Sequence, residues 1–174
     1  DYETYNSGAK YISYLLTPAT VCLAIPLYRQ ISVLKEHAKE VFIGILAGVL
    51  ASMGSILLMS YLFGLTHEQY VTLLPESTAI VMGVSEELGG IQTIPVAVII
   101  ITGVLGNIIA EAVLKIFRIK EPVAKGLAIG TASHAIGTTK ALEIGEIEGA
   151  MSSLSVAVAG LMTVISASIF ANMM

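Results

Sequence analysis

The sequence predicts an all-α integral membrane protein: transmembrane helices with two re-entrant helical hairpins in an inverted repeat. Three observations predict it. Of 174 residues, 55 % are hydrophobic and 13 % charged, with a mean hydropathy of +0.84. A soluble domain is nearer ~25 % charged. Several apolar stretches are long enough to cross a bilayer, and others of similar length are interrupted by Pro, Gly or polar clusters. The composition excludes a soluble enzyme and disorder. It also excludes a nucleic-acid binder, because nine Lys and Arg against thirteen Asp and Glu leave a net charge of −4 and no basic patch. Residues 1–174 read as a single transmembrane domain. Asp1 is not Met, Asp1–Lys10 lacks a basic leader, and the chain is expected to be incomplete at its N-terminus. Cys22 is alone, so neither an intramolecular disulfide nor a cysteine metal site is expected.

The elements follow in order. Tyr11–Tyr28 is apolar but carries Pro18 and Pro26. Val41–Leu65 has no charge, Ile94–Phe117 has only Glu111 and Lys115, and Gly149–Met174 has none. Each exceeds the ~20 residues that a helix needs to span a core of ~30 Å. His67–Leu88 is broken at Pro75-Glu76-Ser77. Pro122–Ile144 is broken near Thr131–His134 and dotted with glycine. Lys and Arg concentrate in the loop Arg29–Glu40 and the stretch Lys115–Lys125, which are therefore expected on the cytoplasmic side. Thr66–Leu74 and Gly89–Thr93 have neither residue and are expected outside.

This pattern makes His67–Leu88 start and finish on one side. It is expected to be a hairpin, with arm His67–Leu74, tip Pro75–Thr78 and a return helix stopped at Gly89-Gly90. Pro122–Ile144 is expected to mirror it from the other side, with arm Val123–Gly130, tip Thr131–His134 and return helix Ala135–Ile144. At an offset of sixty residues, Thr78 meets Thr138, Glu86 meets Glu146, Gly89 meets Gly149, and Val96-Ala97-Val98 meets Val156-Ala157-Val158. Residues 67–118 and 122–174 then form two hairpin-plus-span repeats of opposite topology. The competing reading is that Pro122–Ile144 simply crosses.

Irregular backbone at membrane depth persists only where protein or a wet cavity surrounds it. The tips are therefore the expected site. Two return-helix N-termini facing each other suit an anion. With short hydroxyl donors they suit a small carboxylate. The substrate-binding candidates are Glu76, Ser77, Thr78, Thr131, Ser133, His134, Gly137, Thr138 and Lys140. His134 and Glu76 are the proton-coupling candidates. Each has a plainer alternative. His134 could be a packed helix residue, Glu76 a helix cap, and Lys140 a partner of Glu143 or Glu146. Glu111 and Lys115 read as an i,i+4 ion pair. Gly44, Gly48, Gly103 and Gly106 read as close-packing or dimer positions. His37 and His67 read as solvated loop residues. No enzyme motif is present, and neither a metal nor a cofactor is expected.

Leu16-Thr17-Pro18-Ala19-Thr20-Val21 with Leu23-Ala24-Ile25-Pro26-Leu27-Tyr28 resembles a signature of the LrgB/CidB family. Val84–Ile91, Gly126–Thr138 and Glu143–Gly149 are similar to its further elements, in the same order. The family normally has further N-terminal hydrophobic segments, which this chain lacks. The resemblance implies a multi-pass protein of the bacterial cytoplasmic membrane and divides its function in two. Some members are named antiholin-like and are linked to murein hydrolase regulation, autolysis and programmed cell death, with a small LrgA/CidA-type membrane partner. Others resemble transporters, for pyruvate in bacteria and for glycolate and glycerate in plastids. The residues favour transport of a small carboxylate, and with the resemblance the expectation is proton-coupled transport of a small monocarboxylate by a homodimer in the lipid bilayer. The alternative is an antiholin-like regulator without its own substrate.

Overall fold

A computed structural model of the chain describes residues 28–74 and 93–173, with positions 18, 22 and 24–26 besides. The expected tip Pro75–Thr78, with Glu76, Ser77 and Thr78, lies outside the described residues, as do its return helix and most of Tyr11–Tyr28.

Among the described residues every element is helical: α1 (Ile31–Glu36), α2 (Ala38–Phe63), α3 (His67–Leu73), α4 (Thr93–Ile116), α5 (Pro122–Ile144) and α6 (Glu146–Ala171). Three helices are long and apolar enough to cross a membrane: Ala38–Phe63, Ala97–Ile116 and Glu146–Ala171. Only 22 %, 22 % and 35 % of their most apolar windows are buried. Most of that apolar surface faces outward, as lipid requires. Phe42, Ile43, Leu58 and Leu62 on α2 and Ile101, Ile108 and Ile116 on α4 are all exposed.

Two boundaries differ from expectation. The charged stretch Arg29–Glu40 is not a loop; it holds α1 and the first turn of α2. Lys and Glu are good helix formers, so charge marks the membrane edge here without breaking the helix. α6 begins at Glu146, ahead of Gly149, and carries Glu146 and Glu148 in its first turn, where the helix dipole favours anions.

Local chemistry sets the other ends. α2 stops at Gly64, which takes φ 63° and turns the chain. α3 starts on a capping box. The Gln69 amide donates to Thr66 Oγ1 at 3.3 Å, and the Thr66 amide donates to Gln69 Oε1 at 3.0 Å. α3 buries Tyr70, Val71 and the following Leu74 completely. The Tyr70 hydroxyl donates to the Phe170 carbonyl at 2.8 Å, tying α3 to the last turn of α6, where the same carbonyl also accepts from the Met173 amide at 3.0 Å. A core of Val41, Ile45, Val49, Met53, Tyr70, Leu127 and Met151 joins α2, α3, α5 and α6.

α5 is not one straight helix. His134 has φ 52° and ψ −145°, and helical segments flank it. Gly126 lies against Glu148 and Met151, and Gly130 against Ser152 and Ser155. Beyond His134 the order inverts: Thr138 bonds Ser152 at 2.8 Å, and Leu142 sits on Gly149. The first arm therefore runs along α6 in one direction and the second returns in the other. Both lie beside the first half of α6. α4 closes the opposite flank, where Asn107 Nδ2 donates to the Ile136 carbonyl and to Thr139 Oγ1, each at 3.0 Å.

The glycines of this packing leave no room for a side chain. A Cβ on Gly126 would meet the Glu148 carbonyl oxygen and lie 2.7 Å from Met151 Cβ. One on Gly130 would meet Ser155 Oγ and the Ser152 backbone. Backbone cannot yield as a flexible side chain can. Gly130→Ala is expected to destabilise the protein by about 1–3 kcal/mol. Gly54→Ala, with nothing within 4 Å, is expected to be neutral or slightly stabilising. Unfolding of both variants in the same detergent gives the comparison.

Candidate functional site

The turn of α5 meets the other helices at a common depth. Thr131 rests on Gly48 of α2, Ile136 on Gly103 and Ser133 on Gly106 of α4, and Gly130 on Ser152 and Ser155 of α6. Each of these positions is six to thirteen residues from the reference end of its helix. At ~1.5 Å per residue that is about 9–20 Å, around the middle of a ~30 Å hydrocarbon core. The reference end is the one where Arg29 pairs with Glu146 at 3.9 Å and Lys125 with Glu148 at 3.6 Å. Lys115, Arg118 and Lys120 also belong to that end, and it is called the basic end below.

The glycines Gly44, Gly48, Gly103 and Gly106 thus receive the α5 hairpin, within one chain. The sequence flagged their small size correctly, but periodicity could not name the element that packs on them. Gly137 has the same role. A Cβ there would overlap Ser133 Cβ and come within 3.2 Å of Ile129 Cγ2, so its smallness lets the two arms meet at the turn.

Both bases of the hairpin are held by ion pairs. Lys125, on the first arm, reaches the nearly buried Glu148 of α6. Lys140, on the second, lies 2.8 Å from Glu111 of α4 and 3.1 Å from Glu143. Lys115 is 3.6 Å from Glu111, as its spacing indicated. Lys140 pairs with Glu143 but not with Glu146, which takes Arg29. Its shorter contact, with Glu111, was hidden in sequence because 29 residues separate the two. The structure therefore puts Lys140 in an ion-pair network at the hairpin base, away from the turn.

The hydroxyls sort into two groups. Thr131 Oγ1 donates to its own helix, at the Leu127 carbonyl, 2.6 Å away. Thr138 Oγ1 donates to the His134 carbonyl at 3.0 Å and shares a bond with Ser152. Ser155 Oγ returns to the Ser152 carbonyl at 2.9 Å. Ser133 and His134 differ. They are 4 % and 8 % exposed, yet among the described residues neither side chain has a hydrogen-bond partner. A buried polar group left unmatched costs ~1–3 kcal/mol, and such groups in native proteins call for an explanation. The sequence singled out both residues, but their lack of partners needed coordinates.

The His134 backbone adds to the cost. Its φ of 52° with ψ of −145° lies where glycine is at ease and a Cβ-bearing residue is not. His134 lines a cavity of about 540 Å³ together with Ser52, Ser55 and Ser60 of α2, Thr102 of α4 and Thr131. That size falls within the ~300–1,000 Å³ of small-molecule sites. Among the described residues no cluster of three His, Cys, Asp or Glu could hold a metal ion. His134→Gly is expected to raise stability by on the order of 1–3 kcal/mol, through relief of backbone strain, and to lose whatever the imidazole does in the cavity. Thermal unfolding alongside a functional assay separates the two effects. Lys125→Met leaves Glu148 unpaired and is expected to cost about 1–3 kcal/mol. Lys125→Met with Glu148→Gln should recover most of it in the same unfolding assay.

Apolar helices of spanning length packed around a folded-back helix define a membrane protein. The chain belongs to the LrgB-like family, whose sequence profile matches residues 1–173. It is similar to proteins named "Antiholin-like protein LrgB" from Bacillus mycoides (strain KBAB4), Bacillus cereus (strain B4264) and Bacillus anthracis (strain CDC 684 / NRRL 3495). With each it is 40 % identical over 166 residues, covering 94 % of this chain and 72 % of the relative. Those names fit the antiholin-like alternative better than the transport reading. No solved structure matches the chain significantly.

Proposed function

We propose that this protein is an antiholin-like, multi-pass component of the bacterial cytoplasmic membrane. In this reading it restrains murein hydrolase activity and autolysis together with a small LrgA/CidA-type partner, and it catalyses no reaction. The observation that carries it is the similarity to proteins named antiholin-like over 94 % of the chain. Its test is complementation. In a bacterium deleted for its own homologue, expression of the full-length protein should return the autolysis rate to the parental value. An unchanged autolysis rate, with the protein present in the membrane, would sink this reading.

A second reading is favoured by a separate observation: the buried Ser133 and His134 have no hydrogen-bond partner among the described residues, and His134 lines a cavity about midway along the helices. In that reading the protein is a secondary transporter of small monocarboxylates of the pyruvate/glycolate class, coupled to protons and acting as a homodimer. α5 is then a re-entrant hairpin entering from the basic end, and residues 67–118 supply its inverted counterpart. The start of the second arm points a helix N-terminus at the bound carboxylate. Ser133 and His134 donate to it, which supplies the partners they lack. Retention of orphan polar groups inside a membrane fold favours a ligand over a scaffold. Effects on autolysis would follow from carboxylate flux and the proton-motive force.

Uptake of labelled pyruvate and glycolate into proteoliposomes tests this second reading. His134→Ala and Ser133→Ala are each expected to lower uptake at least tenfold. Uptake at the wild-type rate with unchanged pH dependence in His134→Ala removes that residue from the mechanism. Absence of uptake in the wild type removes the reading itself.

A further inference from the structure

We propose that the turn of α5 divides a solute path through this protein, with the side chain of Thr131 resting on Gly48 as its partition. This rests on the second reading above and adds to it the place where the path is closed. Two cavities lie on opposite sides of the turn. The one toward the far end, about 540 Å³, is walled by Ser55 and Ser60 of α2, Leu73 of α3, Thr102 of α4, and His134. The one toward the basic end, about 450 Å³, is walled by His37 and Glu40 at the start of α2 and by Glu121, Ala124 and Ala128 around the first arm of α5. Gly48 and Thr131 are walls of both.

The partition is thin. A Cβ built on Gly48 would lie 3.5 Å from Thr131 Cβ and Oγ1 and 3.6 Å from Cγ2, an ordinary van der Waals distance, so the space between Gly48 and Thr131 is about one methyl group wide. Among the described residues the Thr131 hydroxyl donates only to the Leu127 and Ala128 carbonyls of its own helix, at 2.6 and 3.3 Å. It holds no neighbouring helix in place, so its loss opens space without breaking a bond between helices. A second observation points to a ligand on this path: the buried His134 imidazole lines the far cavity with no hydrogen-bond partner among the described residues. Ser55, Ser60 and Thr102 line the same cavity, and their hydroxyls donate to carbonyls of their own helices. The solute that fits is small, carries an acceptor for the imidazole, and is narrow enough to pass a gap one side chain wide.

The test needs no identified substrate. Cys22 is the one cysteine in residues 1–174, and Cys22→Ser, with any further cysteine of the full-length protein replaced, provides a thiol-free background. Into it go Ser55→Cys, on the far cavity, or Ala128→Cys, on the near one. A small charged methanethiosulfonate reagent that does not cross lipid is applied to vesicles of either orientation. Each cysteine should react from one face only, and the two from opposite faces. Adding Thr131→Ala should raise wrong-face labelling at least tenfold, and adding Gly48→Val to that pair should restore one-sided labelling. Reaction of both cysteines from the same face overturns the proposal, and so does a Thr131→Ala variant that leaves the sidedness unchanged. Uptake of labelled pyruvate in the same vesicles separates the two ideas. Uptake without the labelling pattern overturns the partition alone. The labelling pattern without uptake supports the partition and overturns the monocarboxylate reading.

Discussion

Gly126, Gly130 and Gly149 set how closely the two arms of α5 approach α6, and the rest of the fold depends on that distance. At Gly130 the neighbour is the Ser152 backbone, and at Gly126 it is the Glu148 carbonyl. In lipid there is little hydrophobic gain from bringing helices together, because the tails are as apolar as the side chains. Association rests on van der Waals packing and interhelical hydrogen bonds, and both require close backbone approach. That approach lets Thr138 reach Ser152. It also fixes the arm lengths, so that the turn falls level with Gly48, Gly103 and Gly106 on the flanking helices.

With the arms fixed, polarity is distributed unevenly. At the hairpin bases charge is matched by charge: Lys125 with Glu148, and Lys140 with Glu111 and Glu143. Along the arms and α6, hydroxyls return to helix carbonyls, as Thr131 and Ser155 do. Such bonds occupy a polar group without demanding a neighbour. The buried Thr163 hydroxyl on α6 lacks a partner among the described residues, and so, at the turn, do the Ser133 hydroxyl and the His134 ring, where the backbone leaves the helical path. Strain and unmatched polarity coincide there, beside a cavity. A fold selected for stability alone would place glycine at that position and an apolar residue next to it.

The sequence showed more of this than apolar membrane chains usually allow. The three spanning helices were legible because long uncharged runs have one physical explanation. The break inside Pro122–Ile144 was legible through its Ser-His-Gly-Thr cluster, although helix propensity alone would have carried α5 straight through. The structure keeps Thr131–Ser133 helical and concentrates the irregularity in His134 alone. Less legible were pairs distant in the chain. Glu111 seemed complete with Lys115, and nothing local indicated Lys140. The capping box at Thr66 and Gln69 is a local signal that the sequence does carry, Thr followed three residues later by Gln. The charged segment before α2 is helical, because Lys and Glu are good helix formers and charge alone does not break a helix.

By itself the sequence determined that this protein belongs in a bilayer, which helices are long and apolar enough to cross it, which end carries the basic residues, and which interrupted segments concentrate unusual chemistry. Those conclusions follow from transfer energies and backbone rules that act residue by residue. Only the tertiary structure decided that Gly48, Gly103 and Gly106 receive the α5 hairpin, that Lys140 serves the hairpin base, and that Ser133 and His134 have no partner among the described residues. Each of these depends on what comes within a few ångströms from elsewhere in the chain. Periodicity and composition average over that information. Gly48 illustrates it: in sequence it is a small residue in an apolar helix, and in the fold it is the surface on which Thr131 rests between two cavities.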